Sequence, residues 1–182
     1  MPHQIHGEEK KLIVIGGPTA VGKTNLALEL AKYWQTEIIS ADSRQIYQEL
    51  NIGTAKPHPD ILKETRHHFI DEISIRATFT AADYEKHALE RLELLFQSHQ
   101  VLICAGGTGL YLRALLEGLD DIPEVDSSVL DQLMREMSET DLEKLSDELW
   151  NLDPEYAAKV DLNNPHRVIR ALSVCRQTGQ PF

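Results

Sequence analysis

Cysteine is scarce in this sequence: Cys104 and Cys175 are the only two in 182 residues, and neither belongs to a CxxC pair. That argues against a disulfide framework and leaves two reduced thiols packed among apolar side chains. Long apolar runs are missing as well. None approaches the roughly 20 residues that cross a bilayer, and the polar stretch Met1 to Lys11 lacks a signal-peptide core. A cytoplasmic protein with no membrane attachment is the resulting expectation. Positive charge is also short. The net charge is −11, of which residues 1–119 carry −3 and residues 120–182 carry −8. Such a chain attracts polyanions weakly at long range, so any nucleic-acid partner must be held by local basic spots. Internal repeats and low-complexity segments are absent. What remains is an ordinary globular composition, 42% hydrophobic and 26% charged, in a length that suits one α/β domain or a domain with a small insertion.

The hydrophobic pattern supplies the architecture. Leu12-Ile13-Val14-Ile15 ends in Gly16-Gly17, a buried parallel strand running into a tight turn. Leu26, Ala27, Leu30, Ala31 and Trp34 recur at helical spacing within a helix from Asn25 to Trp34. Glu37 to Ser40 reads as a second strand and His68-Phe69-Ile70 as a third. Thr80 and Asp83 form a capping box for a helix to about Gln97, with Tyr84, Ala88, Leu92, Leu95 and Phe96 as its buried stripe. Val101 to Cys104 is a further strand, followed by a glycine-rich turn and a helix to about Glu117. From Asp120 onward the strand signal disappears. Ser127–Met137 and Thr140–Trp150 are amphipathic, and Asp153-Pro154 and Asn164-Pro165 each set a capping residue before a proline. Gly179 is where the last helix stops. Alternating strands and helices predict a parallel sheet covered on both faces. Ligands in such sheets bind beyond the C-terminal strand ends. Three segments fall at that edge: Gly17–Thr24, Ser40–Gln45 and Gly106–Thr108.

The segment Gly17-Pro18-Thr19-Ala20-Val21-Gly22-Lys23-Thr24 matches G-x-x-x-x-G-K-[ST] in full. Its glycines let consecutive amides converge on one anion, the following helix adds its positive end, Lys23 adds a charge and Thr24 a hydroxyl for Mg²⁺. The loop reads a diphosphate without identifying its carrier; ATP, GTP and a prenyl diphosphate all qualify. An Asn-Lys-x-Asp base-reading motif is missing, which argues against a GTPase. Asp42, at the end of the second strand, is placed to take a proton from a nucleophile or to hold Mg²⁺ through water, or else to cap a helix. Gly53-Thr54-Ala55-Lys56-Pro57 reads as a plain surface loop. Gly106-Gly107-Thr108-Gly109 serves equally as an anion-holding or leaving-group site and as a strand-to-helix turn. His67-His68 lacks a third ligand and reads as structural. Arg167 and Arg170 share a helical face, for phosphate or for neighbouring carboxylates.

Five segments in order carry a resemblance: the loop at 17–24, Ile39-Ser40-Ala41-Asp42-Ser43-Arg44-Gln45-Ile46-Tyr47, Asn51-Ile52-Gly53-Thr54-Ala55-Lys56-Pro57, Gly106-Gly107-Thr108-Gly109-Leu110-Tyr111, and Asn164-Pro165-His166-Arg167-Val168-Ile169-Arg170-Ala171-Leu172 with Thr178-Gly179. Together they resemble the tRNA dimethylallyltransferase (tRNA isopentenyltransferase) family. The resemblance implies a P-loop NTPase-like α/β core at 1–119 and an all-helical, tRNA-contacting insertion domain at 120–182. It implies transfer of a dimethylallyl group from dimethylallyl diphosphate to N6 of an adenosine beside the tRNA anticodon. In that reading Gly17, Pro18, Thr19, Ala20, Val21, Gly22, Lys23 and Thr24 cradle the donor's diphosphate, with Mg²⁺ at Thr24. Asp42 is the general base, and Thr108 and Lys23 assist departure of the diphosphate. Asp42, Ser43, Arg44 and Gln45, with His166, Arg167, Val168, Ile169 and Arg170, meet the tRNA anticodon stem-loop. A monomer is expected. The family continues for roughly another hundred residues past the point matched by Phe182, on domain-size grounds. The chain is therefore expected to lack the rest of the catalytic core, which leaves its own turnover open. A P-loop small-molecule kinase, a prenyltransferase acting on free adenine nucleotides and a non-catalytic tRNA-binding fragment are the competing readings.

Overall fold

The computed structural model describes residues 9–119, 122–123, 125–139 and 141–182. The chain divides into two compact units, Met1–Leu119 and Asp120–Phe182. In the first, strands β1 (Lys11–Gly16), β2 (Ile38–Ser40), β3 (His67–His68) and β4 (Val101–Gly106) alternate with helices α1 (Lys23–Trp34), α2 (Pro59–Glu64), α3 (Ala81–Leu95) and α4 (Gly109–Glu117). The sheet is wholly parallel, in the order β1-β4-β2-β3. This is the α/β fold expected.

Alternation along β4 divides the core. Leu102 and Cys104 point to one face, with Ile39, Tyr84, Ala88, Leu92 and Tyr111; Val101 and Ile103 point to the other, with Ala27, Leu28, Ala31 and Ile38. Successive strand residues face opposite ways, so one six-residue run serves both layers. Thr80 and Asp83 form the expected capping box of α3, worth about 1 kcal/mol for such a cap. Of the expected stripe, Tyr84, Ala88, Leu92 and Leu95 are buried, while Phe96 at the helix C-cap is only partly so. Tyr84 stacks on Tyr111 at 4.1 Å and so ties α3 to α4. Burial pushes the Cys104 thiol up to about 11, and Cys175 also moves up for the same first reason. Both cysteines are free and buried, which suits inert packing.

Two expectations shift. Helix α1 buries Leu28 rather than Leu26, which is 47% exposed. Ala27, Leu28 and Ala31 make the strip that meets Ile38 and Ile103. The third strand is His67–His68 instead of 68–70. Phe69 at φ 63 and Asp71 at φ 56 turn the chain out of the ladder, in the left-handed region that side chains disfavour. His68 is buried, donating from Nε2 to Glu37 Oε2 (2.6 Å) and accepting at Nδ1 from Arg91 (2.5 Å).

The second unit holds α5 (Ser127–Glu139), α6 (Leu142–Leu152), α7 (Pro154–Ala157) and α8 (Pro165–Thr178). Thr140, expected to open α6, lies outside the described residues. Asp153 caps α7, Asn164 caps α8, and Gly179 ends α8 in the left-handed conformation. Leu133, Leu145, Leu149, Val168, Leu172 and Cys175 form its core. Arg176 holds the three longer helices together, bonding Glu136 of α5 at 2.7 and 3.0 Å and Glu148 of α6 at 2.7 Å through two nitrogens.

Candidate active site

Strand register sets the floor of the site. Gly16 pairs with Gly106, and Ser40 with Ala105, so β1, β4 and β2 end at one edge. There the chain ends of β2 and β4 come unusually close. A Cβ on Gly106 would lie 2.1 Å from Ala41 O, so only glycine fits. Ala41 N donates to Ala105 O (2.9 Å) and Thr108 N to Ala41 O (3.1 Å). This contact sets Asp42 beside Thr108.

Beyond β1 the segment 17–24 turns through Gly17, Ala20 (φ 68) and Gly22 (φ 94) into α1. Gly22 caps that helix without a side chain, and its first turn holds no acidic residue. The opening amides and the positive helix end are left for an anion. Lys23 Nζ donates to Pro18 O at 2.6 Å, which folds the cation over the loop. A cavity of about 260 Å³ lies here, lined among others by Thr19, Lys23, Thr24, Asp42, Gln45 and Gly107.

A second cavity of about 260 Å³ is lined by Asp42, Ser43, Arg44, Gly53, Thr54 and Thr108, with Thr19 and Gly107. Asp42 therefore lines both. Its Oδ1 accepts from Arg44 N (2.9 Å) and Gln45 N (3.3 Å); no group among the described residues donates to Oδ2. No helix follows Asp42 directly, so it caps none; Oδ1 instead closes the turn at 43–46, and Oδ2 is the oxygen left open. Thr108 heads α4 without capping it. Its Oγ1 accepts from Ser43 N at 2.9 Å and donates to Ser43 Oγ at 3.2 Å.

Thr24 Oγ and the Asp42 carboxylate face the first cavity, an all-oxygen pair of the hard type Mg²⁺ selects. The donors fit an ion that keeps several waters and takes the rest of its shell from a bound diphosphate. Among the described residues no three His, Cys, Asp or Glu side chains gather as a protein-only metal cage.

The segment 53–57, expected to be a plain surface loop, is part of the wall. Gln45 Nε2 donates to Thr54 O and Ala55 O, both at 3.1 Å, and its Oε1 accepts from Ser40 at 3.4 Å. Gln45, expected among the tRNA contacts, thus spends its amide holding this loop. Lys56, its side chain 8% exposed, pairs with Asp71 and donates to Tyr47 O (2.6 Å) and Asn51 Oδ1 (3.0 Å). These partners lie up to 15 positions away, beyond what local pattern conveys. The one available signal was a lone lysine before proline in the matched segment.

Ser43, Arg44, Asp42 and Thr108 come together as expected. In the helical unit His166, Arg167 and Arg170 are exposed on α8, and no carboxylate among the described residues pairs with either arginine. Val168 and Ile169, expected with them as tRNA contacts, are 0% and 6% exposed in that unit's core. Their positions in α8 turn them inward.

Comparison with known proteins identifies the family. The family model for IPP transferase matches residues 45–182, beginning just past Asp42. A tRNA dimethylallyltransferase of Christiangramia forsetii is 48% identical over 171 residues, 94% of this chain and 57% of the relative. One from Cytophaga hutchinsonii is 49% identical over 173 residues, 95% of this chain and 57% of that protein. Among solved structures, the tRNA isopentenylpyrophosphate transferase of Bacillus halodurans has a TM-score of 0.59 at 36% identity, covering 96% of this chain and 58% of that one. A eukaryotic dimethylallyltransferase described as acting on tRNA has a TM-score of 0.77 at 29% identity, covering 95% and 43%. The chain thus spans about 57% of the length of these two curated relatives. A family model that matches most of the sequence and relatives nearly half identical across it agree: the chain belongs to the IPP transferase family.

Proposed function

We propose that the protein transfers a dimethylallyl group from dimethylallyl diphosphate to N6 of an adenosine beside the anticodon of a tRNA. The carrying observation is that Asp42 lines both cavities, one rich in anion-binding groups and one walled by polar loops. The donor's diphosphate sits on the 17–24 loop and the α1 N-terminus, with Lys23 over it. The adenine enters from the side of Ser43, Arg44 and Thr54. The N6–C1 bond forms as the C1–O bond breaks, and one proton passes from N6 to Asp42 Oδ2. An exocyclic purine amine is a weak nucleophile, which makes that proton acceptor worth roughly 10²–10⁴ in rate. Thr108 holds Ser43 in register and presents its hydroxyl oxygen to the reaction space. When bound at Thr24, Mg²⁺ would neutralise charge on the departing diphosphate.

The exposed Arg167 and Arg170 give an acidic unit a local basic face for RNA backbone, as its net charge requires. No helix among the described residues is long and apolar enough to cross a membrane. The test is calorimetric titration with Mg²⁺ against dimethylallyl diphosphate and, separately, ATP. Preference for the prenyl diphosphate is expected, and Lys23→Ala should remove it. Preference for ATP would turn the assignment to a small-molecule kinase.

A further inference from the structure

Ile52 is 96% exposed, whereas no other exposed large hydrophobic among the described residues exceeds 60%. A single surface isoleucine ordinarily needs no explanation. This one sits on a fastened loop at the mouth of the site. On its N-terminal side, Asn51 Nδ2 donates to Gln48 O at 3.0 Å and Asn51 Oδ1 accepts from Lys56. On its C-terminal side, Gly53 turns at φ 75. Thr54 follows, buried, and donates through Oγ1 to Leu50 O at 2.9 Å. Gln45 grips Thr54 and Ala55 from below. The chain is tied down on both sides of Ile52, which is left standing in solvent. The next two residues, Gly53 and Thr54, line the polar cavity with Asp42, Arg44 and Thr108.

An adenine reacting at N6 must leave its stack to reach a pocket. Proteins that unstack bases in a duplex frequently pair cationic contacts with an apolar side chain, Ile among them, inserted between base steps. Arg44 supplies the first at the rim of this cavity. We infer that Ile52 is the second, a wedge that takes up the stacking position vacated by the target adenine. The inference rests on the tRNA reading above and adds a residue that acts on the RNA, not on the prenyl donor.

The experiment uses two anticodon stem-loop RNAs carrying 2-aminopurine in place of the target adenine. One has an intact loop stack; the other has abasic neighbours, so the target is already unstacked. Ile52→Ser should bind the stacked RNA about tenfold more weakly and lose the fluorescence rise on unstacking, while binding the unstacked RNA within about twofold of wild type. Ile52→Met should behave as wild type. Equal loss on both RNAs, or no loss on either, overturns the wedge and leaves the transfer reading standing. Failure of the wild-type chain to bind either RNA removes the tRNA reading and the wedge together.

Discussion

Gly106→Ala should damage stability and chemistry at once. The new Cβ would sit 2.1 Å from Ala41 O, 2.3 Å from Ala41 C and 2.7 Å from Ala41 Cα. All three are backbone atoms, so no side chain can swing aside. Reaching ordinary contact requires the ends of β2 and β4 to part by roughly 1 Å. Overpacking of this kind costs about 1–3 kcal/mol, and straining the Ala41 N to Ala105 O and Thr108 N to Ala41 O bonds adds about 1 kcal/mol. A total near 3 kcal/mol lowers the midpoint of a unit this size by about 15 °C. The same parting moves Asp42 off Thr108, and a displacement of about 1 Å costs on the order of a hundredfold in transfer. The two units carry one tryptophan each, Trp34 and Trp150. In a Trp150→Phe background, fluorescence melting follows the first unit alone. Gly109→Ala is the control: its Cβ would meet nothing within 4 Å, and it should be neutral or stabilise by up to about 0.5 kcal/mol. A Gly106→Ala midpoint within about 2 °C of its parent would refute the steric reasoning.

Asp42→Asn keeps an oxygen for the Arg44 and Gln45 amides but loses the proton acceptor. It should melt like wild type and bind donor normally in the absence of Mg²⁺ while transfer drops roughly 10²–10⁴-fold; retained turnover would remove Asp42 from the base role. Lys56→Met should leave Tyr47 O without its donor, destabilise the first unit by about 1–2 kcal/mol and speed amide exchange in the 53–55 segment by about tenfold. Unchanged exchange there would show that Lys56 is not what fixes the loop. His68 sits below the usual histidine range, first because of burial, with Glu37 pulling it back up and Arg91 pushing it further down. The unfolded chain then binds more protons as pH falls below about 6.5. The stability gained from neutral His68 is present above that pH and lost on acidification toward its folded value. Melting of the first unit should fall between pH 7 and 5, less steeply in His68→Gln, and a rise would contradict the assignment. His67 shifts the same way by burial, so some slope remains in that variant.

Features written in neighbouring residues are legible in the sequence. The 17–24 loop, the Thr80–Asp83 box, the Asn164-Pro165 start and the α3 stripe each need only a few positions and local chemistry. Features that depend on distant partners are not. Lys56 reads as a loop cation until Tyr47 and Asp71 arrive beside it. Leu26 and Leu28 are equally apolar, and only the angle at which α1 lies on the sheet decides which is buried. Val168 and Ile169 sit inside a matched segment, yet the helix turn sends them to the core while Arg167 and Arg170 face out. Arg176 joins two acids 28 and 40 positions away, a link no periodicity announces.

The division of labour within the Asp42 carboxylate bears on when its ordering cost falls. A free aspartate samples several rotamers, and freezing one costs a fraction of a kcal/mol to about 1 kcal/mol. Here two backbone amides hold Oδ1 before any substrate arrives. The entropy is surrendered once, during folding, and not again at each turnover. Under the proposed transfer, the attacking amine would meet an oxygen already aimed, and its own approach would be the main motion left to arrange.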